Sequence, residues 1–424
     1  MAGPARFIRI WLASLLGLAA LVIGINLLVD PYEVFGTPRI AGISAYKPAA
    51  KNHSMLAKTY QIARVHPVTV LIGSSSTHIG IDAADPAWPL AMRPVYNYGI
   101  PGGYATSTSL STLREAIALG GVRNAIVFLD FQNFFVPEQP APQQPATSQG
   151  EDDRRFHWLA NDARNPNREA QVADDMFLSL ATMGALTDSV TTVISQRNPT
   201  LLNLAPDGSS TEADFINAAR NDGMHDLFAQ KDAFEAARAR GLAQVMARWH
   251  GPLPNLGIVV DMMALAQTHD VKLTLVITPH HADALELYWR NGLWPRVEQL
   301  KTELAALAAS KGRNVVLWDF MDYSRFSTEA VPPQGDRRTP MRWFWEPTHF
   351  KKQLGRIMIG RVIGAGAPDF GAVLTPETVA ARNDAVRAQR QALVCGGDAA
   401  FLTSLDKPIN NGCARVEQIA KQPS

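Results

Sequence analysis

Five short runs of aliphatic and β-branched residues, at 68–72, 95–98, 125–129, 272–277 and 314–318, limit what this chain can become. Each breaks off at a glycine, a proline or a carboxylate. Runs this short and this apolar fit strands covered on both faces. Between and after them, apolar spacing predicts helices over 106–119, 256–268, 294–310 and 350–363. Strands that alternate with helices imply a parallel sheet joined by right-handed crossovers. The expected fold is therefore α/β, a three-layer sandwich around a five-stranded parallel sheet.

At 424 residues the chain exceeds one ordinary domain, so appendages to that unit are expected. Residues 136–154 are rich in proline and glutamine and poor in aliphatics, which reads as a mobile surface loop. Helical spacing over 171–194 and 232–249 makes 136–250 a largely helical insertion, either a lid or a packing subdomain. The α/β domain then covers 66–365, and 366–424 form a tail with a charged helix after Pro376. Forty basic against thirty-nine acidic residues leave a formal charge of +1 with no long basic block. That balance argues against nucleic acid as a partner.

Residues 10–29 are almost wholly apolar, interrupted only by small residues, Ser14 and Asn26. As a helix the run spans roughly 30 Å, the thickness of a bilayer core. Arg6 and Arg9 precede it while Asp30 and Glu33 follow, which by the positive-inside rule keeps the amino terminus in the cytoplasm. The length of the run and the lack of an Ala-x-Ala site favour an uncleaved anchor over a signal peptide. Residues 1–30 are thus read as a transmembrane anchor, and 31–65 as a juxtamembrane linker with one short helix near 54–64. Cys395 and Cys413 are the only cysteines. They suit a local disulfide in an oxidising compartment, the alternative being two unpaired thiols.

The first strand runs out into Gly73-Ser74-Ser75-Ser76-Thr77-His78. Gly73 permits an unusual backbone, and the hydroxyls after it stand at the carboxyl end of a strand, where open α/β sheets bind ligands. One serine could be a nucleophile; all three could equally turn the chain and cap a helix. Acyl transfer also needs an imidazole, a carboxylate to hold it, and oxyanion donors. Glu346-Pro347-Thr348-His349 offers base and carboxylate from one loop. His78, three residues from Ser75, could be mistaken for the base, but on the helix after the turn it is expected to pack or face solvent. His280, His281 and Asp283 could suggest a metal, but adjacent histidines on an extended segment point to opposite sides, so no metal site is assigned. His280 is a candidate substrate contact or a hydrogen-bonded rim residue. Ser75, Gly99, Asn133, His280 and Asp319 all follow the ends of predicted strands.

Gly73-Ser74-Ser75 and Glu346-x-x-His349 resemble the first and last signature blocks of the SGNH, or GDSL-type, hydrolase superfamily, a flavodoxin-like α/β fold. The resemblance implies Ser75 as nucleophile, His349 as base and Glu346 as acid, although the family pattern carries Asp at the acid. It implies an oxyanion hole from the amides of Ser75 and Gly99 and the side chain of Asn133, with Asp130 and Gln132 competing for the last place. The anchor, the Gly-Ser-Ser turn, Gly80-Ile81-Asp82 and Asn97-Tyr98-Gly99 are most similar to the periplasmic proteins of the alginate and exopolysaccharide O-acetylation group.

That group implies a single-pass protein of the inner membrane with its domain in the periplasm. It would transfer acetyl, without a cofactor, to an exported polysaccharide, drawing on a multi-spanning membrane O-acyltransferase as donor partner. A carbohydrate esterase with the same triad is a second expectation. A third is a non-catalytic module of a polysaccharide assembly complex that binds glycan through Trp289, Trp294, Trp343 and Trp345, of which Trp345 is also the candidate substrate contact beside the triad.

Overall fold

The computed structural model describes residues 4–102, 105–136, 154–159, 163–198, 202–310, 312–366 and 369–395. From the amino terminus the chain forms α1 (Pro4–Val29), α2 (Pro48–Asn52), α3 (Ser54–Val65), β1 (Thr69–Gly73), α4 (Ser75–Gly80), β2 (Val95–Gly99), α5 (Ala105–Ala118) and β3 (Asn124–Leu129). Next come α6 (Arg168–Ala181), α7 (Met183–Ser195), α8 (Ala213–Asp222), α9 (Met224–Ala247), α10 (Leu256–Thr268), β4 (Lys272–Ile277), α11 (Ala282–Arg290), α12 (Trp294–Ser310) and β5 (Val315–Asp319). The last elements are β6 (Phe344–Glu346), β7 (His349–Phe350), α13 (Lys352–Val362), β8 (Ala372–Val373) and α14 (Val379–Arg390).

These elements fall into two compact units. The larger unit, Pro67–Pro142 with Asp214–Ser424, holds the sheet, in strand order β2-β1-β3-β4-β5-β8. The first five strands pair in parallel and β8 pairs antiparallel to β5. The sheet is therefore mixed and six-stranded where five parallel strands were expected. A two-residue strand carries too little pattern to be read from sequence. Val70, Leu71, Ile72, Ile126 and Val276 are buried, as strands sandwiched between helix layers require. The strand order reverses between β1 and β3, and the carboxyl ends at such a reversal leave a crevice.

The tail contributes to this unit. Asp319 is buried between Lys301 Nζ at 2.8 Å and Arg382 Nε at 3.0 Å. Arg390 on α14 makes a paired contact with Glu286 at 2.7 Å per bond. The Asp319 carboxyl, which burial alone would push up, is held below its usual range by those two cations. Asp319 is thus a structural residue, despite its place at a strand end. The expected disulfide falls outside the description, because Cys413 lies beyond the described residues and Cys395 is the last of them.

The smaller unit, Met1–His66 with Gln143–Ala213, is helical. Residues 31–65, expected to be a linker, are built into it. Both oxygens of Asp30 accept backbone amides, from Val34 at 3.0 Å and Phe35 at 3.3 Å on one, and from Gly36 at 2.8 Å and Thr37 at 3.2 Å on the other. Buried Lys47 donates to the carbonyls of Val29 and Asp30 at the end of α1. Arg39 bridges Glu33 at 2.8 Å and reaches Asn203 Oδ1 at 3.2 Å. Pro31, Pro38, Pro48 and several lysines read as a linker because the residues that order the stretch lie far along the chain.

The expected insertion at 136–250 is divided as well: its first part joins α1, and α8 and α9 belong to the sheet unit. The loop expected at 136–154 lies almost wholly outside the described residues. α1 is long and apolar enough to cross a membrane.

Candidate active site

β1 and β2 end side by side, with Gly73 opposite Gly99. The chain leaves β1 through Ser74, whose hydroxyl caps α4 by accepting the Ser76 amide at 3.3 Å. Ser76 is buried and its hydroxyl donates to the Thr348 carbonyl at 3.4 Å. The middle hydroxyl is the one presented. Ser75 Oγ lies 2.7 Å from His349 Nε2. Three adjacent serines therefore divide the two readings of the turn between them.

Two close approaches carry His349 to Ser75 from far along the chain. A Cβ on Gly355 of α13 would lie 1.9 Å from the Gly80 carbonyl oxygen, so the helices meet at backbone distance. A Cβ on Gly80 would lie 2.3 Å from the ring of Phe350, the residue after His349. Only glycine at both positions lets α13 and β7 rest on α4.

Behind the imidazole, His349 Nδ1 hydrogen-bonds the buried carboxylate of Glu346. The backbone at the end of β6 folds so that the longer glutamate arm closes on its own loop. Thr348 Oγ1 donates to Glu346 Oε1 at 3.0 Å, the same oxygen that His349 Nδ1 bonds, and so steadies the carboxylate at that contact. Burial pushes the Glu346 carboxyl up. The charge and hydrogen bond of His349, the charge of Lys231 on α9 and the Thr348 hydroxyl outweigh that and hold it below the usual range. A carboxylate at Nδ1 fixes the tautomer in which Nε2 is free to accept the Ser75 proton.

The other expected residues are placed differently. The Gly99 amide donates to Asn97 Oδ1 at 2.9 Å, and a Cβ at Gly99 would lie 2.6 Å from the His78 amide nitrogen. Gly99 is therefore a packing glycine under α4 with its amide engaged, which corrects its expected oxyanion role. Gln132 is buried and spends its side-chain amide on Glu235 at 2.9 Å and on the Tyr288 hydroxyl, so it cannot compete for that role. Asn133 is half-buried on the turn after β3, and its carbonyl accepts from Asn255 at 2.7 Å. Its side chain makes no hydrogen bond among the described residues.

His280 is buried rather than at a rim, edge-on to Phe131 with ring centroids 5.2 Å apart, and its Nδ1 has no hydrogen-bond partner among the described residues. Burial lowers its pKa to about 4 against the pull of Asp130, Glu235 and Glu346, so the ring is neutral at pH 7. His281 caps α11, donates its amide to the Pro347 carbonyl at 2.9 Å and thereby braces the Glu346 loop. His78 is fully buried in α4.

Trp345 is buried too, stacked on Phe215 at 5.7 Å with Lys351 Nζ 3.7 Å above its ring. That corrects its expected exposure to substrate. Trp289 and Trp294 stack on each other at 4.6 Å, and Trp343 packs edge-on to Phe326, so each of these rings already has an aromatic partner within the protein. Two residues near the site gave no warning in the sequence. Phe215 on α8 tilts over the His349 ring at 5.5 Å, and Lys231 places a charge near Glu346. Each comes from a helix whose spacing signals only packing.

The resulting line of hydroxyl, imidazole and carboxylate can pass a proton from Ser75 Oγ to Nε2 while Glu346 balances the charge on the ring. No protein-family model matches the chain, and no curated protein is detectably similar to it.

Proposed function

We propose that this protein is an SGNH-type, membrane-anchored serine O-acyltransferase of a bacterial envelope, related to the exopolysaccharide O-acetylation group. The observation that carries the reading is the 2.7 Å approach of Ser75 Oγ to His349 Nε2, with Glu346 on the opposite ring nitrogen. The strand order β2-β1-β3-β4-β5, with the serine at its reversal, supports the family assignment. Arg6 and Arg9 in the first turns of α1, with Asp30 and Glu33 after its end, support an amino terminus in the cytoplasm and both folded units in the periplasm.

In the first half-reaction Ser75 Oγ bonds to the acyl carbonyl carbon while its proton moves to His349 Nε2. The bond to the donor's leaving group then breaks, and that group takes the proton from Nε2. In the second half a sugar hydroxyl gives its proton to Nε2 and attacks the acyl carbon, and Ser75 departs and is reprotonated. The Ser75 amide and the Asn133 side chain are the proposed donors to the oxyanion. Acetyl-CoA is cytoplasmic, so an acyl group used outside the membrane calls for a multi-spanning acyltransferase as donor partner, and the acceptor is an exported polysaccharide.

The full chain in lipid nanodiscs, given an activated acetyl ester with and without an acetyl-free oligosaccharide, tests this. Ester loss together with acetylated sugar is expected. Ester loss with no acetylated sugar makes the protein an esterase. Ester loss unchanged by Ser75→Ala, or none at all, leaves a non-catalytic anchored module.

A further inference from the structure

We propose that the elbow between α6 and α7 is a second membrane-contacting element, seated in the bilayer interface beside α1 with its apolar side against the acyl chains. The two helices are built inside out for water. α6 buries Gln171, Asp175 and Ser179, and α7 buries Ala185, Ser189 and Thr192, so a polar and small stripe at helical spacing faces the protein. The outward side carries Phe177, Leu178, Met183, Val190 and Ile194, with Phe177 62 % and Met183 67 % exposed. A helix on a water-facing surface has the opposite arrangement. Helices in lipid put small and polar side chains between themselves and turn apolar ones to the chains.

Continuity with α1 identifies the occupant as lipid. Asn26, one turn from the end of α1, donates to the Leu180 carbonyl at 2.8 Å and accepts from Ser189 Oγ at 2.8 Å. The elbow is thereby held against the stretch where Leu27 and Leu28 are exposed and apolar. A bilayer deep enough to cover α1 reaches the elbow as well. The pair, bent by 58° at Thr182, is together as long and apolar as a span. Its buried carboxylate Asp175 is turned inward onto Arg155 at 2.8 Å, and Asp188 onto the Tyr32 hydroxyl at 2.5 Å. Glu169 and Asp174, in the first half of α6, are exposed, so that half points to water and the lipid-facing side begins near Met176. An interfacial helix pair enters lipid in just this partial way.

The test uses the full chain in lipid nanodiscs, with Cys395→Ser and Cys413→Ser as background and one fluorophore at Phe177→Cys, Met183→Cys or, as control, Glu169→Cys. Nitroxides on the lipid acyl chains should quench the labels at 177 and 183 at least twofold more than the label at 169, and aqueous iodide should quench in the reverse order. On the unsubstituted chain, a phospholipid with a diazirine on its acyl chain should cross-link within residues 176–183 as well as within α1. Iodide quenching at 177 and 183 equal to that at 169, or cross-links confined to α1, would overturn the proposal. Shielding that appears only after a second membrane protein is added would also overturn it, because the face would then belong to a protein partner.

Discussion

Gly355 of α13 rests against the carbonyl oxygen of Gly80 in α4, with room for a hydrogen and none for a methyl group. This contact holds the His349 loop on the Ser75 helix. Gly355→Ala should cost about 1–3 kcal/mol through overpacking. Because the shift separates Nε2 from Oγ, ester turnover should fall more than tenfold in protein that is still folded. Thermal melting alongside turnover at a temperature below the melt separates the two effects, and wild-type turnover in the variant would contradict this account.

The three serines of the turn should part company under alanine substitution. Ser75→Ala removes the proposed nucleophile and should drop turnover by about 10⁴-fold or more without lowering stability. Ser74→Ala removes a helix cap, costing about 1 kcal/mol while turnover stays within severalfold. Kinetics and urea unfolding on both variants give the comparison.

Glu346→Gln should lower turnover by about 10⁴-fold, since the imidazole loses the partner that sets its tautomer. Thr348→Val removes only the hydroxyl that steadies the carboxylate, and a loss nearer tenfold is expected. The Glu346 carboxyl is held below its ordinary 4.5, so the stability it contributes is complete above that value and is lost as pH falls through the lower folded value. Glu346→Gln should therefore flatten the acid limb of a plot of stability against pH in that range.

His280 and His281 both titrate near pH 4 in the folded chain, pushed down chiefly by burial from an ordinary 6.5. The unfolded chain takes up these protons first. Stability should be full above about pH 6.5 and fall as pH drops toward 4, each histidine contributing a slope of up to about 1.4 kcal/mol per pH unit. His280→Asn should remove up to one such slope between pH 6.5 and pH 4. Urea midpoints at pH 7 and pH 5 for wild type and variant measure it, and equal differences would refute this linkage.

The five parallel strands were legible because each is a short, largely buried apolar run, and the helices Leu256–Thr268 and Trp294–Ser310 fall where apolar spacing puts them. The meeting of Ser75, Glu346 and His349 was legible because each lies in a short local motif at a strand end. Gly99 was misread because Asn97, two residues back, turns its own side chain onto the amide. Trp345 was misread because the ring that covers it, Phe215, belongs to a helix more than a hundred residues earlier in the chain. The charged stretch after α1 was misread for a similar reason: Asn203 and Leu204, which receive Arg39, gave no local sign of pairing.

The Asp30 and Lys47 contacts leave no swivel where α1 enters the smaller unit. A helix that leans to match a thinner bilayer would therefore lean that unit with it rather than flex at a joint. With α1 in the bilayer as proposed, lipid thickness would act as a mechanical input, setting the attitude of that unit against the membrane plane.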